Sequence, residues 1–365
     1  MSVVHVQYEP LRTWCARMLQ TAGVPAEQAR VAAHYLLRTD ARGIATHGIT
    51  RLASYLDKLE SAEVNARPDL RVSADEAGGL LVQADGALGQ LALRAALDHG
   101  LPLLRKQAMA AIRIQACGHL GALGMYALEA AEQGFFCLLA QRTPPLMGMP
   151  GFQGPAIGNN PFAYASPVAG RDPLVFDMAC SVAARGHILL KAREGSAIPG
   201  DWALDAQGRP TTDPQAALQG SLLPSAMHKG MGLAMLVECL AGGLAASDAS
   251  VAALEQPAFI PTAGAMGRQS AWMLLIDPQG LSQGMFDAYM GAWADSYRRQ
   301  GGEQARLPGQ RGARLEAQVR ASGLVPIQAS IYEELACLAQ SRRVPLPAVV
   351  PASAGVCDDR LGLAG

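Results

Sequence analysis

Asp40-Ala41-Arg42-Gly43-Ile44-Ala45-Thr46-His47-Gly48-Ile49-Thr50-Arg51 lies at a helix boundary and brings a carboxylate, an imidazole and guanidinium groups into one short stretch. Thr46 and Gly48 are small, so they leave room for a ligand beside His47. Histidine suits proton transfer near neutral pH. Arg51, one helical turn further on, can make two parallel hydrogen bonds to a carboxylate. In the helix expected after His47, Ile49, Leu52, Leu56 and Leu59 form an apolar stripe. His47, Arg51 and Tyr55, spaced by four, form a polar row beside it. Two readings stand: a proton-transfer and carboxylate-binding edge, or an exposed helix start with solvated side chains.

Outward from this segment, the first 65 residues read as helical. Leu11, Trp14, Cys15, Met18 and Leu19 recur at helix spacing, and Pro25 opens a second helix through Arg38. From about Leu70 short β-like runs, Gly79-Leu80-Leu81-Val82-Gln83 and Ala111-Ile112-Arg113-Ile114, alternate with helical stretches, which implies an α/β core. The stretch from Ile198 to Pro214 reads as an exposed connection. An apolar helix from Lys229 to about Ala245 reads as buried, a strand follows at Trp272 to Ile276, and a polar helical segment runs from Leu281 to Arg299. The tail beyond Pro345 is rich in Pro, Ala and Gly and reads as mobile.

Composition narrows the function classes. The chain has 365 residues, half of them hydrophobic, enough for a large core and more than one domain. Its 30 Lys and Arg balance 31 Asp and Glu with no long block of either sign, which argues against a nucleic-acid partner or a polybasic membrane patch. Glu238 and several glycines interrupt the most apolar helix, so no membrane span is expected. The N-terminus lacks a secretory pattern, and the seven scattered cysteines read as reduced thiols, so a cytoplasmic location is expected. No C-x-x-C pair, H-E-x-x-H helix or acidic calcium loop appears, and no metal site is expected.

Three further places carry possible chemistry. Gly118-His119-Leu120-Gly121-Ala122-Leu123-Gly124 sits between a strand and a helix, but its G-x-x-G-x-x-G spacing is not the dinucleotide fingerprint, and close helix packing explains the glycines equally well. Asp177 ends the apolar run Leu174-Val175-Phe176 and must find a partner there, either on a ligand or as a loop cap. Lys229 opens the apolar helix and can reach a phosphate or remain solvated.

Taken in order, these fragments resemble the malate/L-lactate dehydrogenase family that lacks a Rossmann fold and also contains ureidoglycolate, sulfolactate, diketogulonate and cyclic-imine enzymes. The resemblance also rests on Gly158-Asn159-Asn160-Pro161, Phe176-Asp177-Met178-Ala179, Ile198-Pro199-Gly200-Asp201-Trp202-Ala203-Leu204-Asp205, Pro210-Thr211-Thr212-Asp213-Pro214, His228-Lys229-Gly230 and Leu307-Pro308-Gly309. It implies an α/β, non-Rossmann nicotinamide-binding fold with a largely antiparallel sheet, a helical domain formed from both chain ends, and a homodimer. The expected division is 1–70 and 301–345 for the helical domain, 71–300 for the cofactor domain and 346–365 for a mobile tail. By matching position, the resemblance makes His47 the acid/base and His119 its alternative beside the nicotinamide. Thr46, Arg51, Tyr55 and His187 would contact substrate. Thr143, Asp177, Met178, Ala179, Lys229, Gly309, Gln310 and Arg311 would hold NAD or NADP. Thr46 stands where Ser is usual, Arg142 where Asn is usual, His187 where Lys is common and Gln310 where Glu is common. The expected reaction moves a hydride to or from a small 2-hydroxy or 2-oxo acid. The alternatives are reduction of a cyclic imine such as Δ1-piperideine-2-carboxylate, or a dinucleotide-binding dimer without activity.

Overall fold

The structure, a computed structural model, describes residues 2–75, 78–254 and 269–351. Its centre is a seven-stranded sheet. In spatial order the strands are Arg71–Ala74, Leu80–Gln83, Met109–Cys117, Gln269–Ile276, Phe136–Arg142, Phe162–Ser166 and Leu174–Met178. Leu80–Gln83 and Met109–Cys117 run parallel, bridged by the helix Gly89–Leu103; the remaining neighbours are antiparallel. A doubly wound dinucleotide sheet needs successive parallel pairs and crossover helices, so this topology explains why the G-x-G-x-x-G fingerprint is missing.

Alternation along the strands decides which face is covered. Ala110, Ile112 and Ile114 point into the main core, where Gly100 lets its helix come close: a Cβ there would collide with the side chains of Ile112 and Leu275. On the opposite face Ala140 and Trp272 lie under Val237 and Ala241.

Both chain ends supply the helical layer. Tyr8–Thr21, Ala26–Ala41 and Leu52–Glu60 pack with Gln310–Ser322 and Ala329–Arg342. Arg38 and Arg42 share Glu316 at 2.9 and 2.6 Å, a largely buried ion cluster that ties the two ends together. The expectation of helix throughout the first 65 residues fails at Val3–Gln7. This segment is the middle strand of a small antiparallel sheet with Leu324–Gln328 and Val349–Val350. The alternating valines suit a strand, but the pairing partner comes from the far end of the chain. The expected mobile tail therefore begins with a paired strand at Val349–Val350, while 352–365 lie outside the described residues.

Two other expectations change. Ile198, Ala203 and Leu204 are buried, not exposed, because the connection folds back on Met147, Cys180 and Ile188 and pairs as a short strand with Ser221–Leu222. The apolar helix runs as α-helix over His228–Val237 and as π-helix over Glu238–Leu244. Gly230, Met231, Ala234, Val237 and Ala241 face inward, but Met235, Leu236 and Leu244 are more than half exposed, so the helix is buried on one side only. No described helix is long and apolar enough to cross a membrane.

Candidate active site

The decisive loop owes its shape to Asp40. This residue sits in the last turn of Ala26–Ala41 and is 6% exposed. Its Oδ2 accepts the backbone N–H of Ile49 at 2.7 Å, which folds the intervening residues back over the helix end. Burial pushes the Asp40 carboxyl up to about 8, opposed by that amide. Gly48 lies directly on the carboxyl group, where a Cβ would overlap all three of its outer atoms. The chain between runs through 3-10 turns at Ala45–His47 and Ile49–Arg51, and the α-helix begins only at Leu52.

This loop presents its side chains to a second segment. The His47 and His119 rings lie nearly parallel, 5.8 Å apart and inclined by 24°. The Thr46 hydroxyl is 2.9 Å from His47 Nδ1. Arg51 donates through Nε to the Thr46 carbonyl at 2.6 Å and has no ion-pair partner among the described residues. Tyr55 is buried, with its hydroxyl 2.9 Å from His119 Nδ1. The same hydroxyl accepts from Gln90 Nε2 at 3.1 Å. Burial, followed by the Arg51 charge, lowers the His47 pKa to about 4. His119 is held well below the ordinary histidine value, first by burial and then by the charges of His47, Arg51 and Lys58. The cluster therefore offers two neutral imidazoles at neutral pH and a guanidinium without an ion-pair partner among the described residues, a set able to exchange a proton and hold a carboxylate.

The other expected residues occupy neighbouring positions. Asp177 accepts the N–H of Gly124 at 2.7 Å, at the start of the helix that follows the His119 loop. The partner that this carboxylate requires is thus a backbone amide. Gly309 adopts φ +91° and packs on Val175, where a Cβ would be 3.0 Å from both the Val175 Cβ and its nitrogen, so the loop at 309 lies against the strand of Asp177, Met178 and the adjoining Ala179. Gln310 Oε1 accepts the Leu307 N–H at 2.9 Å. The Lys229 helix starts against Cys180, which accepts from the Ser225 amide at 2.8 Å. Lys229 and Arg311 are exposed and make no ion pair among the described residues. Thr143 is locked to Asn159 and Asn160: its amide donates to Asn160 Oδ1 at 3.0 Å and its hydroxyl to Asn159 Oδ1 at 2.9 Å. Strand pairing puts Cys117 and Arg142 at the same end of the sheet, separated by Gln269 and Ser270. His187 stands apart from the histidine pair, with its ring tilted against Trp202 at 6.3 Å.

Residue types alone did not single out Gln90, Asp40 as the anchor of the loop, or Glu238. Glu238, in the first π turn, accepts from Arg142 Nε at 2.5 Å and from Asn160 Nδ2 at 3.0 Å. The Arg142 cation is thereby neutralised from the facing helix. An acidic residue inside an apolar run was the available signal, and it points to a buried cation opposite.

The sequence profile of the malate/L-lactate dehydrogenases matches residues 6–336. The chain belongs to that family. Within it, the chain is 33% identical over 332 residues to a (2R)-3-sulfolactate dehydrogenase (NADP(+)) of Chromohalobacter salexigens, covering 90% of this chain and 96% of the relative. It is 34% identical over 239 residues to a ureidoglycolate dehydrogenase (NAD(+)) of Escherichia coli, covering 66% and 68%. Among solved structures, Δ1-piperideine-2-carboxylate reductase of Pseudomonas syringae pvar. tomato aligns with a TM-score of 0.82 and 31% identity over 91% of this chain and 99% of that one. Family membership accounts for the combination of a largely antiparallel sheet with a helical layer drawn from both termini. The Gly118–Gly124 loop places His119 against Tyr55 of the helical layer and leads into the Gly124 amide, which donates to Asp177.

Proposed function

We propose that this family member transfers a hydride between NAD or NADP and the carbon next to the carboxylate of a small 2-hydroxy or 2-oxo acid. The observation that carries this reading is the Arg51 guanidinium, which has no ion-pair partner among the described residues, beside two neutral imidazoles whose rings lie nearly parallel 5.8 Å apart. Arg51 holds the substrate carboxylate in bidentate fashion. His47 takes the proton of the 2-hydroxyl, or returns it in the reverse direction, and Thr46 orients the His47 ring through Nδ1. The nicotinamide, when bound, gives or accepts the hydride.

Several features support cofactor binding. Lys229 and Arg311 offer cations to a pyrophosphate, Gly309 keeps its loop close to the sheet, and Thr143 follows the strand Phe136–Arg142 while Asp177, Met178 and Ala179 lie at the end of the strand Leu174–Met178. In this reading residues 1–70 and 301–345 present His47, and 71–300 hold the cofactor. The open apolar side of the Lys229 helix, with Met235, Leu236 and Leu244, supports a homodimer that covers it. Six unpaired thiols among the described residues support a reducing, cytoplasmic setting. The likeness to a cyclic-imine reductase supports a second reading, in which the same clamp and proton donor act on a C=N bond.

Fluorescence titration with NADH and with NADPH in parallel, followed by assay of pyruvate, oxaloacetate and cyclic imines, tests the proposal. Saturable binding and turnover of a 2-oxo acid are expected. Turnover confined to cyclic imines would favour the second reading, and binding without any turnover would leave an inactive dinucleotide-binding dimer.

The pH profile follows from the depressed histidines. With a pKa of about 4 in place of 6.5, His47 stays neutral and able to accept a proton throughout the neutral range. In the oxidation direction kcat/KM should be flat through neutral pH and fall only toward pH about 4. In Arg51→Met the limb moves up but stays below the ordinary value, because burial is the larger cause and persists. A wild-type limb at or above 6.5 would remove His47 as the base. The same shift acts on stability. Folded His47 and His119 bind protons less readily than in the unfolded chain, so their contribution is complete above the ordinary histidine pKa and is lost as pH falls below it.

A further inference from the structure

We infer that Gln90 and Tyr55 are positioning residues that hold His119 as the Nε2–H tautomer, making it a fixed hydrogen-bond donor to the substrate and leaving proton exchange to His47. The inference rests on the site proposed above.

Its basis is a count of hydrogens along a buried chain. Gln90 is 1% exposed, and its amide N–H donates to the Tyr55 oxygen at 3.1 Å. The single hydroxyl hydrogen of Tyr55 then points at His119 Nδ1, 2.9 Å away. That nitrogen must present a lone pair, so in a neutral ring the hydrogen resides on Nε2. The opposite polarity would turn the Gln90 carbonyl toward Tyr55 and leave an NH2 group buried without an acceptor. The observed polarity leaves only Gln90 Oε1 without a partner. An unsatisfied buried acceptor is tolerated better than unsatisfied donors, which favours this direction.

Placement and charge reinforce the chain. Gly89, next to Gln90, lies so close to the His119 carbonyl and Leu120 that a Cβ would collide with their backbone, which holds the amide and the ring in register. Gly121, at φ +77°, leaves space beside Gln90 Nε2 and the Tyr55 hydroxyl, 3.6 and 3.8 Å from where its Cβ would be. Around the ring, His47, Arg51 and Lys58 all oppose a positive charge on His119. A protonated ring would also need Tyr55 to turn its hydrogen toward the Gln90 amide, donor against donor. His119 therefore polarises the substrate oxygen or imine nitrogen through Nε2–H without giving up its proton. His47, with only the Thr46 hydroxyl on Nδ1 among the described residues, is the ring free to change its charge.

The test is 15N NMR of the full-length protein labelled at histidine, with the His119 signals identified by their loss in His119→Asn. The wild type is expected to show Nδ1 as a bare acceptor and Nε2 protonated, with no titration through neutral pH. Gln90→Glu, measured above the pH at which its carboxyl ionises, supplies only an acceptor to Tyr55, so it should reverse the chain and move the hydrogen to Nδ1. Loss of that one donor to substrate should lower kcat about 10²–10³-fold, with cofactor affinity unchanged. Tyr55→Phe, which cannot carry the relay, should give mixed tautomers and covers the case in which Gln90→Glu does not fold. An Nδ1–H tautomer in the wild type, or tautomers indifferent to both substitutions, overturns the inference. The NMR readout does not need turnover, so its failure is distinguishable from an inactive result in the substrate panel, which would instead remove the proposed function.

Discussion

His47→Asn should lower kcat by about 10²–10⁴-fold, the range lost with a general acid or base, while NADH and NADPH still bind by fluorescence titration. The reasoning is local. The His47 ring contacts Thr46 and faces His119, and none of the segments around Gly309, Asp177 or Lys229 packs on it through a hydrogen bond or ring contact among the described residues. Removing the imidazole therefore takes away the exchangeable proton without disturbing the parts proposed to hold the cofactor. Asn keeps a polar side chain near the Thr46 hydroxyl, so the loop should persist. Because His119 is held as a donor, it cannot substitute for His47, and the loss should appear in kcat at saturating substrate. Normal turnover by the variant would transfer the acid/base role to His119 and undo the division of labour between the rings.

Gly48→Ala is the second large effect. The new methyl would coincide with the Asp40 carboxyl, which is itself pinned by the Ile49 amide in a buried position. Either the carboxyl turns away and the amide loses its acceptor, or the loop lifts and carries His47 and Arg51 with it. Overpacking of this kind costs about 1–3 kcal/mol, readable as a lowered denaturant midpoint. A displacement of about 1 Å at the reacting groups is enough for a roughly 10²-fold loss in kcat/KM. The pair is expected to be coupled: with Asp40→Ala already in place, Gly48→Ala should add little further damage, because the space is then open. Wild-type activity in Gly48→Ala, or additive losses in the double variant, would show that the carboxyl does not set the loop.

The residues of the candidate site were legible in the sequence, but their geometry was not. The spacing of four put His47, Arg51 and Tyr55 on one helical edge, whereas 3-10 turns carry Thr46, His47 and Arg51 and only Tyr55 lies in the α-helix, so the bond from the Ile49 amide to Asp40 and the contact of Tyr55 with His119 bring them together instead. The identity of the sheet came from the ordered resemblance and not from strand patterns, because β-like runs carry no mark of their partner's direction. Asp177 announced a need for a partner through its apolar neighbours, but Gly124 as that partner could not be read from them. Gln90 offered no signal, since a glutamine near a helix start is ordinary until its helix is placed against His119. Arg142 stood out as a departure, and only the π turn at Glu238 showed how its charge is matched.

The sequence by itself determined the family and the α/β class with its helical ends, because those depend on short-range spacing and on the order of segments along the chain; it singled out 46–55 as a candidate edge without deciding between a ligand-binding edge and a solvated one. Tertiary structure alone decided the strand at Val3–Gln7, the stacking of His47 on His119 and the hydrogen-bonded contacts that join Gln90, Tyr55 and His119. Each of these is a contact between groups far apart in sequence, and its polarity and burial exist only once folding has removed water from between them.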